Sequence, residues 1–347
     1  MLWLTWRQFR VQAAAVAALV AAFGVLLLIT GLRLASLYHA SRLAACHHAC
    51  DQAAGNFLNQ LASTAPYQRV YLLGAALVYL LPAVIGLFWG APLLARELDS
   101  GSFRLAWNQT VTRQRWLAVK LGVLGLASMA AAAVLSLILG WWASPIDHAA
   151  SSGSAAGFEN HFFPVVFGAR GVVPIGYAAF AFTAGVLAGL LIRRTVAAMA
   201  VTLAVVAAVQ IAFPLAVRPH LIPPVRHTTV VTAAAIREIH GNGPGDVLTG
   251  VGVGNSGVPA GAWIISNQAT TASGSTTLGA MPSACGPSMR DFSPCATAIA
   301  AKHLTVTAVY QPPNRYWPFQ LIETAIYLAV AAVATWACFW LLRRKLS

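Results

Sequence analysis

Six long apolar stretches, separated by loops of unequal charge, constrain this chain more than any other feature. A bilayer core about 30 Å thick needs roughly 20 apolar residues per helix at about 1.5 Å rise. Six segments meet that length: Ala13 to Leu32, Val70 to Ala95, Leu121 to Ala143, Val172 to Ile192, Thr195 to Val217 and Trp317 to Leu342. The composition agrees, at 58% hydrophobic and only 9% charged. The expected class is therefore an all-α polytopic membrane protein.

Orientation follows from the basic residues of the short loops, because lysine and arginine accumulate on the cytoplasmic side. One side carries twelve: Arg7, Arg10, Arg96, Arg104, Arg113, Arg115, Lys120, Arg193, Arg194, Arg343, Arg344 and Lys345. The short loops opposite carry four: Arg33, Arg42, Arg69 and Arg170. Both termini are expected in the cytoplasm, in a multi-pass protein of the plasma membrane. A net charge of +13 suggests nucleic acid in a soluble protein, but here the charge flanks spans. It reads as topology and contact with anionic lipid, with no nucleic-acid partner.

The first apolar run is longer than the 7 to 15 residues of a secretory signal, so it is expected to remain as an anchor. Residues 1–12 read as a cytoplasmic interfacial helix, with Leu2, Trp6 and Phe9 on one face and Arg7 and Arg10 on another. Residues 13–217 hold the first five spans, and residues 317–347 hold the sixth and a basic tail. Between them, residues 218–316 form a 99-residue external insertion rich in Gly, Ser, Thr and Pro. Its run His303 to Tyr310 has the composition of a strand, so a small mixed domain with some β structure is expected there.

Cys46, Cys50, Cys285 and Cys295 fall in external segments, where disulfides persist. Four cysteines allow three pairings. Cys46 with Cys50 and Cys285 with Cys295 is favoured because each closes a short local loop. Cys46, His47, His48 and Cys50 lack standard zinc spacing, and no metal site is assigned.

Glu323 is the one carboxylate inside an expected span. A charge at a helix centre costs about 2.5 to 3.5 kcal/mol on insertion scales, so Glu323 is expected to face a partner, water or a pathway. Gln210 and the neighbouring Pro214 are further candidates for the lining of a translocation path. The competing readings are a snorkelled or protonated interfacial acid for Glu323 and plain packing for Gln210 and Pro214.

The loop Arg96 to Lys120, RELDSGSFRLAWNQTVTRQRWLAVK, sets two acids beside a Ser-Gly turn, then an amphipathic stretch, then Arg113-x-Arg115-Trp116. On loop chemistry alone, its arginines set topology and its tryptophans anchor at the interface. In this order, however, the features resemble the cytoplasmic loop of permease subunits of type 2 ABC exporters. The opening Leu4, Trp6, Arg7 and Gln8 resemble the start of actinobacterial members.

That resemblance implies an ABC-2 permease arrangement of six helices, a homodimer of permease subunits in the lipid membrane, and a separate ATPase partner. It further implies export of a small hydrophobic or amphipathic compound such as a drug, antibiotic, lipid or peptide. Coupling to the ATPase maps onto Glu97, Ser100, Gly101, Arg104, Trp107, Arg113 and Arg115. No catalytic residue and no bound cofactor is expected in this chain. ATP and magnesium belong to the partner, since the lysines Lys120, Lys302 and Lys345 stand in no G-x-x-x-x-G-K-[ST] loop. The competing reading is a membrane sensor or immunity protein on the same fold that signals through its external domain. A hydrolase is disfavoured, because no H-E-x-x-H helix is present and no G-x-S-x-G stands at a strand-to-helix elbow.

Overall fold

A computed structural model describes residues 2–43, 46, 50–64, 66–99, 112–152, 158–240, 245–253, 257–271, 274–276, 278–286 and 291–345. It divides into two compact units, residues 1–221 with 317–347, and residues 222–316. The second unit starts at Ile222, four residues after the expected start of the insertion at 218, so Arg218 belongs to the first unit.

Among the described residues, six helical segments are long and apolar enough to cross a membrane. Helix α1 (Leu2–Ala40) runs without a break. Residues 2–12, expected as an interfacial helix, are helical and continuous with the first span. Helix α2 (Asp51–Ser63) is short and amphipathic, with Ala54, Phe57, Leu58 and Leu61 buried in the core and Asn56, Asn59 and Gln60 exposed. Helix α3 (Tyr67–Ile85) passes through a π-helical turn, Gly86–Gly90, into α4 (Ala91–Asp99). Pro82 lies one turn before that change of pitch, where its missing N–H and its ring disturb the α-helical ladder. Helix α5 (Arg113–Ser152) supplies the third span, and α6 (Pro164–Phe167) is a single turn. Helices α7 (Val173–Ile192) and α8 (Thr195–Ala212) form a hairpin joined at Arg193 and Arg194. Arg193 takes a left-handed φ of 59° in this tight turn. Helix α8 continues through a π segment, Phe213–Val217, and a 3-10 turn, Arg218–His220.

Helix α7 is the centre of the first unit. It is apolar on every side, and 67% of its span is buried, against 17% for the first span. A helix without a polar face has to be covered all round, by protein or by lipid. Here protein covers it, and glycines set the approach. A β-carbon on Gly185 would collide with the Gly86 carbonyl, and one on Gly90 would stand 2.5 Å from the Phe182 carbonyl. The backbones of α7 and the π turn thus touch directly, as small residues permit between helices in lipid.

The second unit holds strands β1 (Val225–Val230), β2 (Ile236–His240), β3 (Gly250–Val253), β4 (Trp263–Thr270) and β5 (Thr305–Gln311), with helix α9 (Ser293–Ala300). An antiparallel sheet runs in the order β1-β5-β4, and β2 pairs with β3. The run expected as a strand is the central one, β5, whose Val306, Ala308 and Tyr310 alternate inward. Val231, Ile236, Leu248, Ile299 and Leu304 share a separate core with Cys285 and Cys295. The sixth span is α10 (Tyr316–Lys345).

Candidate functional site

Residues 158–172, between α5 and α7, form a short strap held by side chains from several helices of the first unit. A one-turn helix such as α6 leaves most of its carbonyls without intrahelical partners, and burial makes each one expensive to leave unpaired. Side chains from elsewhere fill the gap. Arg218 Nη1 donates to the Pro164 carbonyl at 2.8 Å, and Tyr79 Oη donates to that of Val165 at 2.9 Å. Gln320 Nε2 donates to the Phe167 carbonyl at 3.0 Å, while its Oε1 accepts from the amides of Val172 and Val173 at 3.0 and 3.1 Å. Ser136 Oγ holds the Gly171 carbonyl at 2.8 Å, and Tyr71 Oη holds that of Glu159 at 3.1 Å. Gly171 has φ of +64°, and a β-carbon there would meet Gln320 Oε1 at 2.6 Å. Only glycine lets the strap turn while lying against that amide.

Beneath the strap lies a buried ion pair. Arg218 Nε and Nη2 donate to Glu323 Oε2 and Oε1 at 2.7 and 2.9 Å, a fork geometry, with both side chains fully buried. Tyr177 Oη donates to Glu323 Oε1 at 2.9 Å. The guanidinium carbon stands 4.4 Å from the centre of the Phe167 ring. Tyr79, Tyr327 and Phe213 close around the group, with Tyr177 and Tyr327 meeting edge to face at 4.8 Å and Phe213 5.0 Å from Tyr327. Each charge is thus neutralised, and its remaining hydrogen-bonding capacity is largely used. The carboxylate that the sequence requires to have a partner finds it in Arg218, a residue counted with the insertion when the spans were read by hydropathy. Gln210 lies at the edge of this group, donating to the Tyr79 carbonyl at 3.2 Å. Pro214 is half-buried in the π segment next to Phe213. Glu323 lines neither the cleft between α1 and α5 nor the one between α5, α7 and α10.

A second pair, Asp147 and Arg170, approaches only to 3.7 Å, with Arg170 over the Tyr71 ring at 5.3 Å. Its geometry is looser than that of the Arg218–Glu323 fork. Burial, helped by the positive charges of Arg170 and His148, pushes the neighbouring His161 imidazole below its ordinary range.

Of the seven expected coupling positions, Ser100, Gly101, Arg104 and Trp107 lie outside the described residues. Glu97 falls in α4 and Arg113 opens α5, while Arg115 is exposed five residues before the buried Lys120. Lys120 Nζ lies 4.3 Å from the centre of the Trp116 ring, and Trp116 itself is buried. The structure pairs Cys46 with Cys50 and Cys285 with Cys295, at Cα separations of 5.9 and 4.8 Å. His47 and His48 lie outside the described residues, and among the described ones no group of three His, Cys, Asp or Glu stands close enough to hold a metal.

Sequence reasoning missed Arg218, Tyr177 and Gln320. The available signal was the need of Glu323 for a cation, which Arg218 supplies from the end of the preceding span. Compared with known families, residues 17–218 match the family model described as ABC-2 membrane transporter related. No curated protein and no solved structure matches the chain.

Proposed function

Since the chain belongs to the ABC-2-related membrane transporters, we propose that it is the membrane-spanning subunit of an ATP-driven exporter powered by a separate ATPase chain. The observation that carries this reading is the family match over more than half of the chain, from the first span to Arg218, on a six-span unit whose sequence holds no phosphate-binding loop. Energy has to arrive through a partner, and the segment joining α4 to α5 is the coupling element in this reading. Glu97, Ser100, Gly101, Arg104, Trp107, Arg113 and Arg115 contact the ATPase. Arginine and tryptophan suit that task, because both are enriched where interface energy concentrates. The asymmetry of the basic loops puts both termini and the coupling segment in the cytoplasm and residues 222–316 outside.

Two copies of the permease build the pathway, and the cargo is hydrophobic or amphipathic, in keeping with the apolar helix faces. The two cysteine pairs form disulfides in the oxidising exterior. The Arg218–Glu323 fork is the structural tie that joins the fifth and sixth spans under the strap.

The test is purification of the tagged full-length protein from its host membrane in mild detergent. A stoichiometric co-purifying ATPase, with vanadate-sensitive hydrolysis that rises with candidate cargo, supports the exporter. Its absence from a folded, monodisperse preparation favours the sensor reading, for which the separately cored residues 222–316 are the natural receptor.

A further inference from the structure

A laterally open cleft of about 750 Å³ runs between α1 and α5. Small residues create it: Ala17, Ala21 and Gly24 on one wall and Ala127 and Ala131 on the other, with Trp89 as part of the lining. Trp89 is itself buried, so the cleft has a floor. At one end it narrows where Gly31 meets Trp141 and Trp142, a β-carbon there standing only 3.0 Å from either ring. Trp142 Nε1 donates to Thr30 Oγ1 at 2.9 Å across the same contact. At the other end its lining reaches Ala13, near the start of α1. From Ala13 to Leu28 the lining rises about 22 Å at roughly 1.5 Å per residue, a length suited to one extended hydrocarbon chain.

Charge distinguishes the possible occupants. Arg10, Ala13, Ala17, Ala21, Gly24 and Leu28 succeed one another at steps of three and four residues, so the exposed Arg10 stands on the cleft's own line, one turn before Ala13. Helix α1 carries no acidic residue. A two-fold contact through this face would bring the same patch from each copy together, arginine included, with no carboxylate on α1 to answer it. An anionic amphiphile satisfies both ends at once. We propose that the α1–α5 cleft is a binding site for an anionic phospholipid of the surrounding bilayer, one acyl chain lying along the alanine-lined wall and the headgroup phosphate meeting Arg10. The site depends on membrane embedding alone and does not rest on the exporter reading.

The test uses full-length protein in mixed micelles containing equal phosphatidylglycerol and phosphatidylcholine. After removal of excess lipid, retained phospholipid is counted by mass spectrometry of the intact complex. The wild type is expected to keep about one phosphatidylglycerol per protomer. Gly24→Leu fills the cleft while its first carbon meets only Ile138 Cδ1 at 3.6 Å, and it should abolish retention. Arg10→Gln leaves the cleft open and should lower the preference for phosphatidylglycerol about fivefold, the equivalent of ~1 kcal/mol for one cation near an anionic headgroup. If Gly24→Leu fails to fold, Ala21→Leu fills the same wall. Equal retention of the two lipids by the wild type overturns the proposal, as does full retention by a folded cleft-filling variant. Conversion of a dimer to monomers by that variant also overturns it, by assigning the cleft to a second copy.

Discussion

Replacing Glu323 by glutamine keeps the side chain's shape and removes its charge, which isolates the electrostatic part of the buried fork. Arg218 is fully buried and makes two of its hydrogen bonds to that carboxylate, at 2.7 and 2.9 Å. Its remaining bonds, to the Pro164 carbonyl at 2.8 Å and the Tyr177 hydroxyl at 3.4 Å, are to neutral groups. The variant therefore leaves a cation in a protein interior with dipoles but no counter-charge. Removing one member of a buried pair costs about 3–5 kcal/mol, whereas replacing both by apolar residues of similar volume is often neutral or stabilising. At about 2–4 °C per kcal/mol for a large unit, Glu323→Gln is expected to lower the melting temperature in detergent by on the order of 10 °C. Arg218→Met with Glu323→Gln should recover most of that loss, since the orphaned charge is gone. A double-mutant cycle of thermal melts measures the coupling. A single variant melting within about 2 °C of wild type, or a double variant losing the sum of the two singles, refutes the argument that the pair is buried and mutually dependent.

Three further outcomes follow from other parts of the molecule. Gly185→Leu places a side chain against the Gly86 carbonyl, where backbone meets backbone, and should abolish the monodisperse peak in size-exclusion chromatography. Gln320→Leu removes the hydrogen bonds that hold Phe167, Val172 and Val173, at about 1 kcal/mol or more each. Amide exchange at Val172 and Val173 should accelerate at least tenfold with the rest of α7 unchanged, and unaltered exchange counts against the strap being held by this residue. Charge reversal at Arg104 or Arg113 should separate ATP hydrolysis from transport in a reconstituted complex while the protein still inserts, and normal export by the reversed protein ends the coupling assignment.

Hydropathy and charge were enough to determine six spans, a membrane class and a sheet-bearing insertion after the fifth span, because the bilayer's thickness and the cost of burying charge act on composition along the chain. The same local reasoning picked out Glu323 as a residue in need of a partner and β5 as a strand. It was blind to quantities that depend on the third dimension. Nothing local separates the span of α7, covered by protein, from that of α1, largely uncovered, since both are strongly hydrophobic and differ only in which helices pack on them. Arg218 looks like a loop residue because it ends a hydrophobic run. Only the π segment at Phe213–Val217, the placement of the sixth span and the one-turn α6 bring it onto Glu323 and the Pro164 carbonyl. Polar side chains in a membrane protein are placed by the partners they satisfy, and those partners lie 54 and 105 residues away from Arg218 in the chain.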